Sequence, residues 1–157
     1  YNKNMRESGT PLSAYSAILS FHQGGWFIDL NGNYYDRIYL SYAPSRRYSQ
    51  TLVNAGDVDN DGNYVVPAQA KGKGGFMLDG SIGKSIYLKH GSLSINLMIT
   101  NILNNQKIVS GGYEQSRSDY TLKNDGTRSD RAYKFSRNVK KYYVNGINGM
   151  LNVAYKF

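Results

Sequence analysis

No cysteine occurs in the 157 residues, so neither a disulfide framework nor a thiolate metal site is available. The absence also fits an oxidising compartment, where an unpaired thiol is a liability. No run of 18 or more apolar residues exists, which excludes a transmembrane helix. A membrane-spanning sheet is not excluded, because barrel strands are only about 9–11 residues deep and alternate in polarity. Glu7 and Glu114 are the only glutamates, and they fall in different segments. The chain begins at Tyr1 rather than Met and lacks the basic, apolar and small-residue zones of a signal peptide. The expectation is that processing or truncation removed an earlier start. Nothing marks an internal boundary or repeat, so residues 1–157 read as one domain segment.

What is present points to strands and turns. The 15 Tyr and 17 Gly favour β structure over helix. The net charge of +8 would suit nucleic acid in a soluble domain, but its distribution does not. Arg46, Arg47, Lys71, Lys73, Lys134, Arg137, Lys140 and Lys141 sit in polar stretches between apolar runs. No aromatic RNA-binding motif or zinc finger accompanies them, so nucleic acid is not expected as a partner. They read as solvated loop charge, with attraction of anionic ligands or an anionic surface as the functional alternative.

The decisive signal is a period of two. From Tyr143 to Phe157, one face carries Tyr143, Ile147, Leu151, Val153, Tyr155 and Phe157, and the other Asn148, Asn152, Ala154 and Lys156, with Val144 and Met150 its apolar exceptions. This predicts a terminal strand of roughly 15 residues, longer than the usual soluble strand of about five or six. Ser92 to Asn101 alternates alike, with Leu93, Ile95, Leu97 and Ile99 opposite Ser94, Asn96, Met98 and Thr100. Phe76 to Leu88 sets Phe76, Leu78, Ile82 and Ile86 against Asp79, Ser81, Ser85 and Tyr87, with Lys84 the exception on the apolar face. Trp26 to Tyr42 sets Trp26, Ile28, Leu30, Tyr34, Ile38, Leu40 and Tyr42 against Asp29, Asn31, Asn33 and Arg37, with Asp36 breaking the apolar face toward one end. Leu12 to Phe21 is a weaker version. Five antiparallel strands are predicted near 10–22, 26–42, 74–88, 92–104 and 142–157.

The connections alternate in length. Gln23-Gly24-Gly25 and His90-Gly91 read as tight turns, whereas 43–72 and 105–142 are long and polar. Short periplasmic turns opposite long extracellular loops characterise outer-membrane barrels. The predicted class is therefore all-β: an antiparallel transmembrane β-barrel segment of about five long strands, its last strand ending in the periplasm at Phe157. Trp26 and Tyr87 at one level, and Tyr42, Phe76 and Tyr143 at the other, would form the two aromatic girdles. Lys84 would snorkel toward headgroups.

The stretch GTPLSAYSAILSFHQGGWFIDLNGNYYDRIYLSYAPSRR (9–47) resembles late strands of TonB-dependent outer-membrane receptors of Bacteroidetes type. So does FMLDGSIGKSIYLKHGSLSINLMITNILNNQKIVSGGYEQSR (76–117), and YYVNGINGMLNVAYKF is similar to their final strand. The resemblance implies an outer-membrane protein of a Gram-negative bacterium engaged in energy-coupled uptake of a nutrient such as a siderophore, metal complex or oligomer. It implies membrane lipid, an extracellular nutrient ligand and the barrel assembly machinery as partners. TonB would be reached through parts of the receptor outside these residues, as would the plug and the earlier strands of a barrel of about 22 strands. Leu151, Val153, Tyr155 and Phe157 resemble the assembly signal of this class.

Candidate chemistry is sparse. Asp57, Asp59 and Asp61 in DVDNDG match the start of a calcium loop, and Gly62 permits its turn. Ala68 stands where an EF-hand needs its bidentate Glu, and Asp/Asn/Gly is also ordinary turn chemistry. Calcium is the one cofactor the sequence suggests. Its runner-up architecture is a secreted β-sandwich binding module that uses these carboxylates. No catalytic set stands out, so an enzyme is not expected. His22 and His90 adjoin short turns, and Lys71-Gly72-Lys73-Gly74-Gly75 precedes a strand rather than opening a phosphate-binding helix.

Overall fold

The computed structural model describes residues 2–44, 47–55, 57–114, 119–122, 124–125, 128–131 and 139–157. In chain order they form β1 (Pro11–Gln23), β2 (Trp26–Tyr39), α1 (Ser49–Ala55), β3 (Lys71–Gly72), β4 (Gly75–Leu88) and β5 (Gly91–Thr100). There follow β6 (Val109–Glu114), β7 (Asp119–Leu122), β8 (Arg128–Arg131), β9 (Val139–Tyr143) and β10 (Asn148–Lys156). The described chain is all-β and mostly antiparallel apart from one short helix. Its main sheet runs β1-β2-β4-β5-β10, with β3 on β2; β6 pairs with β9, and β7 with β8.

Two compact units divide the chain. The larger part of the main sheet lies in the unit of Leu12–Arg37, Lys73–Ile108 and Tyr143–Phe157. Register sets its faces, because residues directly opposite in an antiparallel pair project to the same side. One row is Ile28, Ile82, Leu97 and Leu151. The next rows are Trp26, Lys84, Ile95 and Val153 on one side, and Leu30, Gly80, Ile99 and Gly149 on the other. Alternation then gathers Asp29, Asn31, Asp79, Asn96 and Asn152 on the opposite face. The turn after β1 has Gly24 at φ 57 and Gly25 at φ 79. Two consecutive positive φ values are the hairpin turn whose twist matches the strands, and glycine adopts them without a Cβ penalty. A Cβ on Gly25 would also lie 2.5 Å from the Ser85 carbonyl oxygen.

The other unit comprises Tyr1–Pro11, Ile38–Gly72 and Val109–Tyr142. It holds a small core of Ile38, Leu40, Leu52 and Val109, all buried. A Cβ on Gly72 would meet the Val109 side chain at 2.7 Å, so close packing requires a glycine there.

Several expected boundaries move. β2 ends at Tyr39 rather than near 42, because Leu40 donates to Ala70 and Ser41 turns to bridge Tyr113. β5 ends at Thr100 rather than 104, where Asn101 and Asn104 take φ 51 and 49 and break the pleat. The expected terminal strand of about 15 residues is instead two strands: Tyr143 closes β9, and β10 has 9 residues. Period-two alternation continues through 144–147, but the backbone there is tied to the turn after β5 rather than to a strand. The helix α1 was not expected. Its 7 residues owe their conformation to packing, since isolated helices so short are marginal, and Leu52 is fully buried.

Candidate functional site

The apolar face of the main sheet is an extended feature of the described residues. Leu19, Trp26, Leu30, Ile82, Leu97, Leu151 and Val153 are all exposed. Scattered apolar side chains are normal on a surface, but a contiguous apolar face over several strands marks an interaction surface. At one end of this face the Lys84 ammonium lies 4.7 Å from the Trp26 ring centre and donates to the Gly24 carbonyl at 2.8 Å. Around Gly80, which has no side chain, Leu30, Ile82, Leu97, Ile99 and Ile102 line an open depression of about 140 Å³.

The opposite face is a hydrogen-bonded polar array. Ser16 donates to Asn31 at 2.9 Å, Ser20 to Asp29 at 2.6 Å and Asn33 to Asp79 at 3.3 Å. Phe27 is an aromatic on this face, with its ring over Gly83, where a Cβ would come within 2.0 Å of it. His22 Nε2 stands 3.6 Å from Asp29 Oδ1. Serine, aspartate and histidine thus meet, but in the wrong order for nucleophilic catalysis. The carboxylate lies between the other two, whereas the histidine must stand next to the serine to take its proton. The face can bind water or a polar ligand through its acceptors.

The polar array ends in a turn that sequence reasoning passed over. Asn101 is buried; its amide nitrogen donates to Asn145 at 2.8 Å, and its side-chain oxygen accepts from the Asn105 backbone at 2.9 Å. Its own backbone N–H donates to Asp79 at 2.8 Å. Asn105 donates to Phe76 at 3.0 Å, and Asn104 accepts from Ile147 at 3.0 Å. Short amide side chains thus replace the sheet ladder where strands give way to loops. The signal in the sequence is the density of asparagine in Asn101-Ile102-Leu103-Asn104-Asn105 directly after an alternating run.

In the other unit, the expectation that Arg47 is solvated loop charge is corrected. Its guanidinium is buried, donates to Glu114 and to the Pro67 carbonyl, and stacks 5.7 Å from the Tyr42 ring centre. Glu114 also accepts from the Ala43 backbone at 3.2 Å. The two residues belong to the two long connections, which the linear pattern treats as separate loops. Arg46, Lys134 and Arg137 lie outside the described residues.

The acidic loop forms a tight local turn. The Asp59 carboxylate accepts from the backbone of Asn63 at 2.7 Å, the side chain of Asn63 at 3.1 Å and the backbone of Asp61 at 3.0 Å. These bonds, led by the one from the Asn63 backbone, hold its pKa below the ordinary value of 3.8. Among the described residues no three His, Cys, Asp or Glu side chains gather as a metal would need. Asp59 is instead engaged by donors of its own loop.

The aromatic candidates occupy different settings. Trp26 and Phe76 stand on the apolar face, with Phe76 over Gly32. Tyr87 pairs with Ser92 and so stands on the face of Asp79 and Ser81. Tyr42 lies half-buried beneath Arg47, and Tyr143 is exposed at the end of β9. Leu151, Val153 and Tyr155 share one face of β10; Phe157 meets Tyr155 edge-on at 4.9 Å, and Tyr155 donates to the His90 carbonyl at 3.3 Å. No protein-family model, curated protein or solved structure matches the chain.

Proposed function

We propose that this chain is a wall segment of a TonB-dependent outer-membrane receptor for energy-coupled uptake of a nutrient. The observation that carries the reading is the two-sided main sheet. Four neighbouring strands align Ile28, Ile82, Leu97 and Leu151 in one apolar row, half-buried at Ile28 and exposed at the other three, with a hydrogen-bonded polar array behind them. A barrel wall needs this division, since one side meets lipid and the other a wet lumen. A soluble sandwich would bury the same apolar row under a second sheet.

In this reading the strands complete a larger barrel with others, because a lipid-exposed sheet edge would strand its backbone donors and acceptors. The connections 40–72 and 105–142 then face the outside and meet the nutrient, and β10 is the handle for the assembly machinery. The resemblance of 9–47, 76–117 and 142–157 to late receptor strands narrows the class to receptors driven through TonB.

Partitioning tests the proposal. The purified chain should require detergent or lipid to stay monodisperse and should acquire its β circular dichroism on transfer into bilayers. A chain that is folded and monodisperse in plain buffer would refute the membrane assignment.

A further inference from the structure

The apolar face carries one cation, and its place is specific. Lys84 shares the face of Ile82 and Gly80, two and four residues earlier on β4. Its ammonium is held by the Gly24 carbonyl at 2.8 Å and by the Trp26 ring at 4.7 Å. Those contacts anchor it at the turn end of the sheet and leave donors of its three N–H groups for a further acceptor. Directly beyond lies the depression of about 140 Å³ at Gly80, walled by Ile28, Leu30, Ile82, Leu97 and Ile102. The depression is open and its lining almost wholly apolar, so it can seat a short stretch of hydrocarbon chain lying on the face.

We infer that Lys84, Trp26 and the depression at Gly80 form a binding site for one anionic phospholipid of the surrounding leaflet. The inference rests on the membrane reading above. The phosphate meets Lys84 and Trp26, and an acyl chain runs along Ile28, Ile82 and Leu97 into the space over Gly80. Lys84 and Gly80 are four residues apart on β4, about 13 Å of strand, so head and tail fall two rows apart on one sheet face with the Ile82 row between them. The charge is complementary and the apolar wall continuous, as an amphiphile with an anionic head requires. Unlike the loop lysines, Lys84 has apolar neighbours on every adjoining row.

Trp26 is the only tryptophan, so its fluorescence reads the site directly. The full chain is reconstituted in phosphatidylcholine vesicles containing a minor fraction of either brominated phosphatidylglycerol or brominated phosphatidylcholine. One lysine near a membrane surface is worth about a fivefold preference for anionic lipid, and quenching by the phosphatidylglycerol probe should show it. Lys84→Gln should abolish the preference, Lys84→Arg should keep it, and Gly80→Leu, which fills the depression, should reduce it. Equal quenching of the unmodified chain by both probes would overturn the site while leaving the membrane reading intact. No quenching by either probe would overturn both.

Discussion

The guanidinium of Arg47 and the carboxylate of Glu114 form a buried ion pair across 67 residues of sequence. Each side chain keeps only 1% of its accessible surface. Arg47 is also bonded to Pro67, and Glu114 to the backbone of Ala43. The pair ties the first long connection, at Ala43, Arg47 and Pro67, to the second at Glu114.

Truncating one partner should be far worse than replacing both. Glu114→Ala leaves a desolvated guanidinium and should cost about 3–5 kcal/mol in the unit that contains it. Replacing both, as Arg47→Met with Glu114→Leu, should recover most of that loss. Hydrogen exchange at the amides of Leu40 and Leu52 reads the difference. Equal loss of protection in the single and double variants would show that the pair is not coupled.

The faces of the main sheet predict an asymmetry between neighbouring residues. Leu151→Arg places a charge in the apolar row and should cost about 2–4 kcal/mol near the bilayer midplane. Asn152→Arg, on the polar face beside Asn96, should be milder. Lipid refolding titrations compare them, and equal costs would contradict the assignment of the two faces.

The Asp59 turn should be sensitive to acid. Its folded pKa lies below the ordinary 3.8, so the stabilising contribution is complete above that value. It is lost as the pH falls through the lowered folded value. Amide exchange, corrected for intrinsic pH dependence, should show Asp61 and Asn63 losing protection in that acid range. Asp59→Ala should remove the protection at neutral pH as well. Millimolar calcium should leave proteolysis of 43–72 unchanged, since Asp59 already serves its own loop; protection by calcium that depends on Asp59 would reverse that expectation.

Phe157 should matter more to assembly than to local packing. It is 98% exposed and touches Tyr155 edge-on. In the receptor reading, deleting it should lower the outer-membrane level far more than deleting one residue of 105–142. Membrane fractionation of the two variants checks this. Near-normal levels for both would mean that the terminal aromatic is no assembly signal.

The main sheet was legible because alternation is a local property. Ile95, Leu97 and Ile99 announce a face by spacing alone, and the glycine pair at 24–25 announces the hairpin that joins two such faces. Short turns bring β1 beside β2 and β4 beside β5, and the antiparallel order carries on across the long connection between β2 and β4. The pairing of β10 with β5 followed from the same logic of short and long gaps.

Long-range closure was not legible. Alternation through Val144 and Ile147 suggested an unbroken strand, yet those backbone groups bond to Ile108 and Asn104. Arg47 looked like one more loop cation because a linear pattern carries no measure of burial for a charge whose partner is Glu114. Spacing alone marked Asp57, Asp59 and Asp61 as a carboxylate cluster, but it could not show that Asp59 accepts from Asp61 and Asn63 of its own turn. By itself the sequence determined which residues share a face, since that depends on strand periodicity alone. Only the tertiary structure decided where strands stop and which charges are paired, because those outcomes depend on donors and acceptors brought together from distant parts of the chain.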